Sequence, residues 1–137
     1  MKTLIFTILL LVASTLNAER IFKDKATSLI WQDHQDNVNL SITYPKSQTY
    51  CDELVIGKYS NFRLPTMNEL QSIVDYKQYD PAILKGFDYV SNEYYWTTTP
   101  FADDPQKVVW LIHFKKGERT VKDKHYDRHV RCVQSSK

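Results

Sequence analysis

Two cysteines, four histidines and a run of C-terminal cations are the groups in this 137-residue chain whose types could carry chemistry. Cys51 and Cys132 are the cysteines. In an oxidising compartment such a pair forms a disulfide by default, and closing a loop of about eighty residues stabilises a fold by roughly 4 kcal/mol. Two free buried thiols are the alternative. A redox-active pair fits poorly, because neither cysteine has a histidine beside it and both lie in apolar patterns. His125 and His129 have the four-residue spacing of metal ligands on a helix. The surrounding residues read as loop into strand, however, where four residues span roughly 13 Å, so one zinc ion would not bridge them. Asp33, Asp36 and Asn37 invite calcium, but the glycine and closing glutamate of an EF-hand loop are missing, and residues 33–43 read as a solvated loop. No metal or other cofactor is expected.

Charge is unevenly placed. Residues 19–106 hold eight Lys or Arg against thirteen Asp or Glu, whereas residues 107–137 hold nine against three. If that polarity survives folding, Lys115, Lys116, Arg119, Lys122, Lys124 and Arg128 belong to a basic surface suited to an anionic partner; if the two halves interleave, they neutralise each other. Tyr76, Tyr79 and Tyr89 lie in the polar, irregular stretch 76–93. They are candidates to stack on sugar rings, and are equally suited to pinning a long loop to the body. No nucleophile motif with Ser, His and Asp, no phosphate loop and no hydrolytic acid pair is recognisable. A nucleic-acid partner is not expected.

The elements that must position these groups begin after residue 18. Lys2, the apolar run Leu4 to Ala13 and the small residue closing Leu16-Asn17-Ala18 read as a secretory signal, too short to span a bilayer comfortably. No cysteine follows the cleavage site, which argues against a lipid anchor. Residues 19–137 are then one domain, periplasmic or secreted, with no second apolar segment long enough for a membrane span.

Within that domain the densest signal is Asn61 to Asp75. Thr66 and Glu69 form a capping box that starts a helix, and Pro65 disfavours helical backbone at Leu64, so Phe62 to Pro65 should be an extended arm feeding the cap. Met67, Leu70, Ile73 and Val74 give the helix one apolar side. Arg63, between Phe62 and Leu64, reads first as a packed stem with an ion-paired head, and secondly as a ligand contact. An earlier helix is expected over Pro45 to Val55, with Cys51 on its buried face and Gly57 terminating it. Strands are expected at Ile21 to Asp24, Leu29 to Gln32, Tyr94 to Thr99, Val108 to Phe114, Arg119 to Lys124 and His129 to Val133. Trp31 reads as core. Val108 to Phe114 is apolar on both faces, with Trp110 on one of them, so it should be buried on both sides. Helices followed by strands indicate an α+β domain.

Several of these stretches carry a family resemblance. RLPTMNELQSIVD resembles the signature of the bacterial Lcl C-terminal domain family, and RLPT alone is similar to the formylglycine-generating-enzyme and sulfatase-modifying family, whose fold is related to C-type lectins. DKATSLIWQD resembles the Lcl family's opening motif, with Ser28 where a glycine usually stands. Tyr50-Cys51 with Leu54, Tyr95-Trp96-Thr97-Thr98-Thr99 and Val130-Arg131-Cys132-Val133 resemble further motifs, in the correct order from Asp24 to Val133. Both cysteines match the family's positions.

The resemblance implies a C-type-lectin-like α+β domain: two helices packed on an irregular antiparallel sheet, the terminal strands close together and long loops at one end. It also implies an envelope or surface module that binds anionic glycans or other extracellular polymers without catalysis. Contact with another envelope protein through the aromatic loop is the alternative, and an oxidase like the formylglycine-generating relatives is less favoured. Calcium-dependent sugar binding is not implied, because the Glu-Pro-Asn and Trp-Asn-Asp motifs are missing and Trp96 is followed by threonines.

Overall fold

The computed structural model describes residues 20–135; the expected signal segment, residues 1–18, lies outside them. Strands β1 (Ile21–Lys23) and β2 (Leu29–Gln32) form an antiparallel hairpin. Asp24 shapes its turn by accepting from the Ala26 amide at 3.0 Å and the Thr27 hydroxyl at 2.8 Å. Ser28 leaves the turn at φ +61°, in the left-handed region that a glycine occupies at least cost. The last strand, β8 (Val133–Ser135), pairs with β2, so the first and last described strands share one sheet in the order β1-β2-β8.

A second, five-stranded sheet holds most of the C-terminal half. Its strands are β3 (Ser41–Ile42), β4 (Tyr94–Pro100), β5 (Val108–His113), β6 (Glu118–Asp123) and β7 (Arg128–His129), ordered β3-β7-β4-β5-β6. Pairings are antiparallel except that of β4 with β7. Strand β5 is sandwiched as its sequence predicts. Val109 and Leu111 pack toward Trp96, Leu64 and Cys51, while Ile112 and Phe114 pack toward Trp31, Tyr95 and Leu70. Trp31 is fully buried.

The fold is α+β as expected: a four-residue helix α1 (Asp36–Asn39) is added to the two expected helices, α2 (Tyr44–Glu53) and α3 (Met67–Gln71). Helix α2 opens with Pro45 in its first turn but ends at Glu53, short of Val55. Gly57 does not terminate it. Leu54 already leaves with extended backbone, and Gly57, at φ +55°, turns a tight reversal in which Ile56 and Tyr59 exchange amide and carbonyl bonds. The chain leaves the helix early because Leu54, Ile56 and Tyr59 all pack on the core that holds Cys51. Among the described residues no helix is long and apolar enough to cross a membrane.

Two further expectations are corrected. Residues 33–43 are not a solvated loop: Asp33 and Asn37 are buried. The Asn37 side chain donates to the Val130 carbonyl at 2.8 Å and accepts from the His34 amide at 2.8 Å. The stretch His129 to Val133 is likewise not one strand. It splits into β7 and β8, in different sheets, because Val130 to Cys132 cross between them. The crossing is fixed by a Cys51–Cys132 disulfide, both halves fully buried, and by the Cys132 amide donating to Gln32 Oε1 at 3.0 Å.

Candidate functional site

The register of the larger sheet builds a strip of cations and aromatic rings. Tyr94 on β4 stands opposite His113 on β5, and the two rings stack with centroids 4.2 Å apart. Lys122 on β6 shares their face, since β6 pairs Val109 with Lys122 and Leu111 with Thr120 and side chains alternate along a strand. Arg128 on β7 bridges two rings: its guanidinium lies 5.6 Å from the Tyr94 centroid and 5.3 Å from that of Tyr126. The Lys122 ammonium lies 5.1 Å from the same Tyr126 ring. That ring is 53% exposed, so the strip meets solvent there. Each cation–ring contact is worth about 0.5–1 kcal/mol at an exposed site and holds a charge in place without neutralising it.

The other basic residues of the C-terminal segment are dispersed. Lys115 and Lys116 lie at the turn joining β5 to β6. Arg119 faces away from Lys122 along β6, and its Nε donates to Gln71 Oε1 at 2.9 Å. Lys124 is occupied, with its ammonium 2.8 Å from the Gln106 carbonyl and 5.1 Å from the Tyr44 ring. The six cations therefore do not share one surface. Lys122 and Arg128 belong to the strip, whereas Arg119 faces the other side of the sheet.

The loop tyrosines separate in the same way. Tyr76 and Tyr79 are 70% and 63% exposed and stand beside the β5–β6 turn, where the Asp80 amide donates to the Lys115 carbonyl at 2.9 Å. The Tyr76 hydroxyl pairs with Gln71. Tyr89 pins the loop: its amide donates to Asp33 at 2.9 Å, its carbonyl accepts from Arg131, and Arg20 covers its ring at 5.0 Å.

His125 pairs with Asp123 at 2.6 Å, and burial holds the half-buried His129 imidazole below its usual range, so it is neutral at pH 7. Among the described residues no three His, Cys, Asp or Glu side chains gather to hold a metal ion.

A second feature lies along the arm before α3. Thr66 and Glu69 form the capping box: the Glu69 amide donates to the Thr66 hydroxyl at 3.2 Å and the Thr66 amide to Glu69 Oε1 at 2.8 Å. Arg63 forks onto the same carboxylate at 2.6 and 2.7 Å. An open cleft of about 410 Å³ borders the arm, lined by Gln48, Thr49, Asp52, Phe62, Arg63, Leu64 and Thr98. Trp96 and Trp110 serve packing. The Trp96 indole donates to the Ile42 carbonyl at 2.9 Å, and Trp110 meets Phe101 edge-on at 5.7 Å.

Tyr94, His113 and Tyr126 escaped the sequence reading. Tyr94 and His113 meet only through a cross-strand register nineteen residues apart. Tyr126 carried a local signal, an aromatic residue set between Lys124 and Arg128. The family described as the Lcl C-terminal domain matches residues 20–134, nearly the whole of the described chain. No curated protein matches.

Proposed function

Because the chain belongs to the Lcl C-terminal domain family, we propose that it is an exported, non-catalytic module that binds anionic glycans through the strip of Lys122, Tyr126, Arg128, Tyr94 and His113. One observation carries this reading: two cations, Lys122 and Arg128, flank the exposed Tyr126 ring. One Nη of Arg128 already donates to the Asp127 carbonyl at 2.7 Å; the other can donate to a sulfate or carboxylate, while Lys122 adds a point charge. The tyrosine rings offer the C–H faces of a sugar an apolar surface and leave their hydroxyls wet.

Export rests on Lys2, the apolar run to Ala13 and the small residue Ala18, and the disulfide suits an oxidising compartment. Both cysteines of the chain lie in that buried disulfide, which supports a non-catalytic role over thiol oxidase chemistry. Docking of an envelope protein on residues 76–93 is less supported. Ala82 and Ile83 turn into the core, leaving Tyr76 and Tyr79 as a small exposed pair.

Retention on immobilised heparin tests the reading. The Lys122→Gln/Arg128→Gln variant should elute at clearly lower salt than the parent. A Lys115→Gln/Lys116→Gln variant loses the same charge outside the strip and should shift less. Equal shifts in the two variants would reduce the strip to a bulk charge effect and overturn it.

A further inference from the structure

Strand β6 is an outer strand of the larger sheet, and among the described residues only β5 pairs with it. None of the residues Glu118–Asp123 is buried. The register fixes where their backbone groups point. The Lys124 amide donates to the Lys107 carbonyl at 2.9 Å, one step beyond the pairing of Asp123 with Val108. Residues along an antiparallel strand turn their N–H and C=O groups to its two edges alternately. Lys124, Lys122 and Thr120 therefore bond to β5, whereas Arg119 and Val121 turn amide and carbonyl outward. Among the described residues nothing pairs with those outward groups. The opposite edge strand, β3, is only two residues long.

We propose that the β6 edge pairs, antiparallel, with the β6 edge of a second copy of this chain, about a two-fold axis at Val121. Outward groups must stand opposite outward groups, so each odd-numbered residue faces an odd-numbered one and the axis lies at a residue. An axis at Arg119 or at Lys122 would set like charges face to face, which opposes pairing. An axis at Thr120 sets Arg119 opposite Val121 and leaves it without a counter-charge. At Val121, valine meets valine and Arg119 meets Asp123 on both sides of the axis, with about six backbone bonds exchanged.

The side chains are free for that register. Both His125 contacts to Asp123 fall on Oδ1, which leaves Oδ2, and Arg119 meets Gln71 through Nε, which leaves both Nη groups. Val121 stands beside the partly buried Trp110 of β5, so the second copy also covers apolar surface there. The inference does not rest on the glycan reading, and its test contains no glycan.

Sedimentation equilibrium of the oxidised chain from about 10 µM to about 1 mM should show monomer passing to dimer. Hydrogen exchange of the isotope-labelled protein locates the contact. The Arg119 and Val121 amides should slow by about tenfold when about nine-tenths of the chain is paired, while those of Thr120 and Lys122, already bonded to β5, should not change. Charge reversal tests the register. Arg119→Asp and Asp123→Arg should each weaken self-association about tenfold, and an equimolar mixture of the two should recover it as a heterodimer, since every reversed residue then faces an opposite charge. Val121→Pro, which removes an outward amide and no bond to β5, should be folded by its amide spectrum and monomeric. A chain still monomeric at the highest concentration would leave the edge to a different partner and overturn the proposal. So would equal slowing at all four amides, a folded Val121→Pro that dimerises like the parent, or charge-reversed variants that pair with themselves as well as with each other.

Discussion

Arg131 lies 3.6 Å from Asp33, and both side chains are closed off from solvent, at 1% and 6% exposure. The guanidinium also donates to the Gln32 carbonyl at 2.6 Å and to the Tyr89 carbonyl, and lies 4.9 Å from the Phe87 ring and 5.7 Å from that of Tyr95. Asp33 in turn accepts from the amides of Asp88 and Tyr89 at 2.8 and 2.9 Å. The pair therefore ties the long loop 76–93 to the chain crossing between the sheets. Truncating Asp33 to alanine leaves a buried cation uncompensated and should destabilise the fold by roughly 3–5 kcal/mol. Urea unfolding of Asp33→Ala measures this; a loss under 1 kcal/mol would mean that water reaches the guanidinium.

Glu69 makes stability depend on acid. Burial pulls its carboxyl upward, but the Arg63 fork, the Thr66 amide and the Thr66 hydroxyl pull harder, and its pKa ends below the usual glutamate range. A group depressed on folding contributes stability that is complete above its unfolded pKa, roughly 4.3, and is lost as pH falls through the lower folded value. The parent should be more stable than Glu69→Gln at pH 7, and the difference should shrink towards pH 3. A difference that is constant with pH would assign the role to shape rather than charge. Thr66→Ala, which removes the cap acceptor, should cost about 1 kcal/mol at pH 7.

The capping box was legible because its members are three residues apart and its signature is local. Cys51 with Cys132 was legible by elimination, and the sandwiched β5 by its two apolar faces. The Arg131–Asp33 pair was not, since Arg131 sits in VRCV as an ordinary strand residue and its partner lies 98 positions away. Helix α1 is four residues long, less than the two turns periodicity needs. The break between β7 and β8 leaves no mark in sequence, because an apolar run reads alike whether it stays in one sheet or changes sheets. The six C-terminal cations cluster in sequence, but alternation along β6 and the turn beyond it divide them between faces.

The disulfide should be silent to reagents and costly to remove. Both sulfurs lie in side chains with no solvent exposure, so the native protein should present no titratable thiol, and two only after denaturation with reductant. By the loop-entropy argument, replacing both cysteines by alanine should lower stability by roughly 4 kcal/mol, less whatever the reduced chain retains of the native contacts. A melting curve under oxidising conditions checks this.

Gly117 holds the β5–β6 turn against the body. It is buried at φ +79°, and a Cβ there would meet Val74 Cγ1 at 2.4 Å and Tyr76 Cε1 at 3.2 Å. Gly117→Ala combines overpacking with a left-handed backbone and should cost about 2–4 kcal/mol. The loss should appear in urea unfolding, accompanied by faster hydrogen exchange at the Asp80 and Ala82 amides, which bond to Lys115 and Phe114.

Tyr126→Leu separates ring from charge at the strip. Leucine keeps an apolar body but has no π face for the Lys122 ammonium and the Arg128 guanidinium, which stand 5.1 and 5.3 Å from the ring centre. Freeing both cations should weaken heparin binding several-fold, with net charge unchanged. Both contacts exist in the unbound protein, each worth about 0.5–1 kcal/mol at an exposed site, so stability should also fall, by about 1–2 kcal/mol. The slope of log affinity against log salt should stay that of the parent, because the number of cations is the same and only their placement is lost. Tyr79→Leu, at a tyrosine that is also well exposed but lies outside the strip, should leave heparin binding as it was. A matching loss in that variant would move the site to the β5–β6 turn.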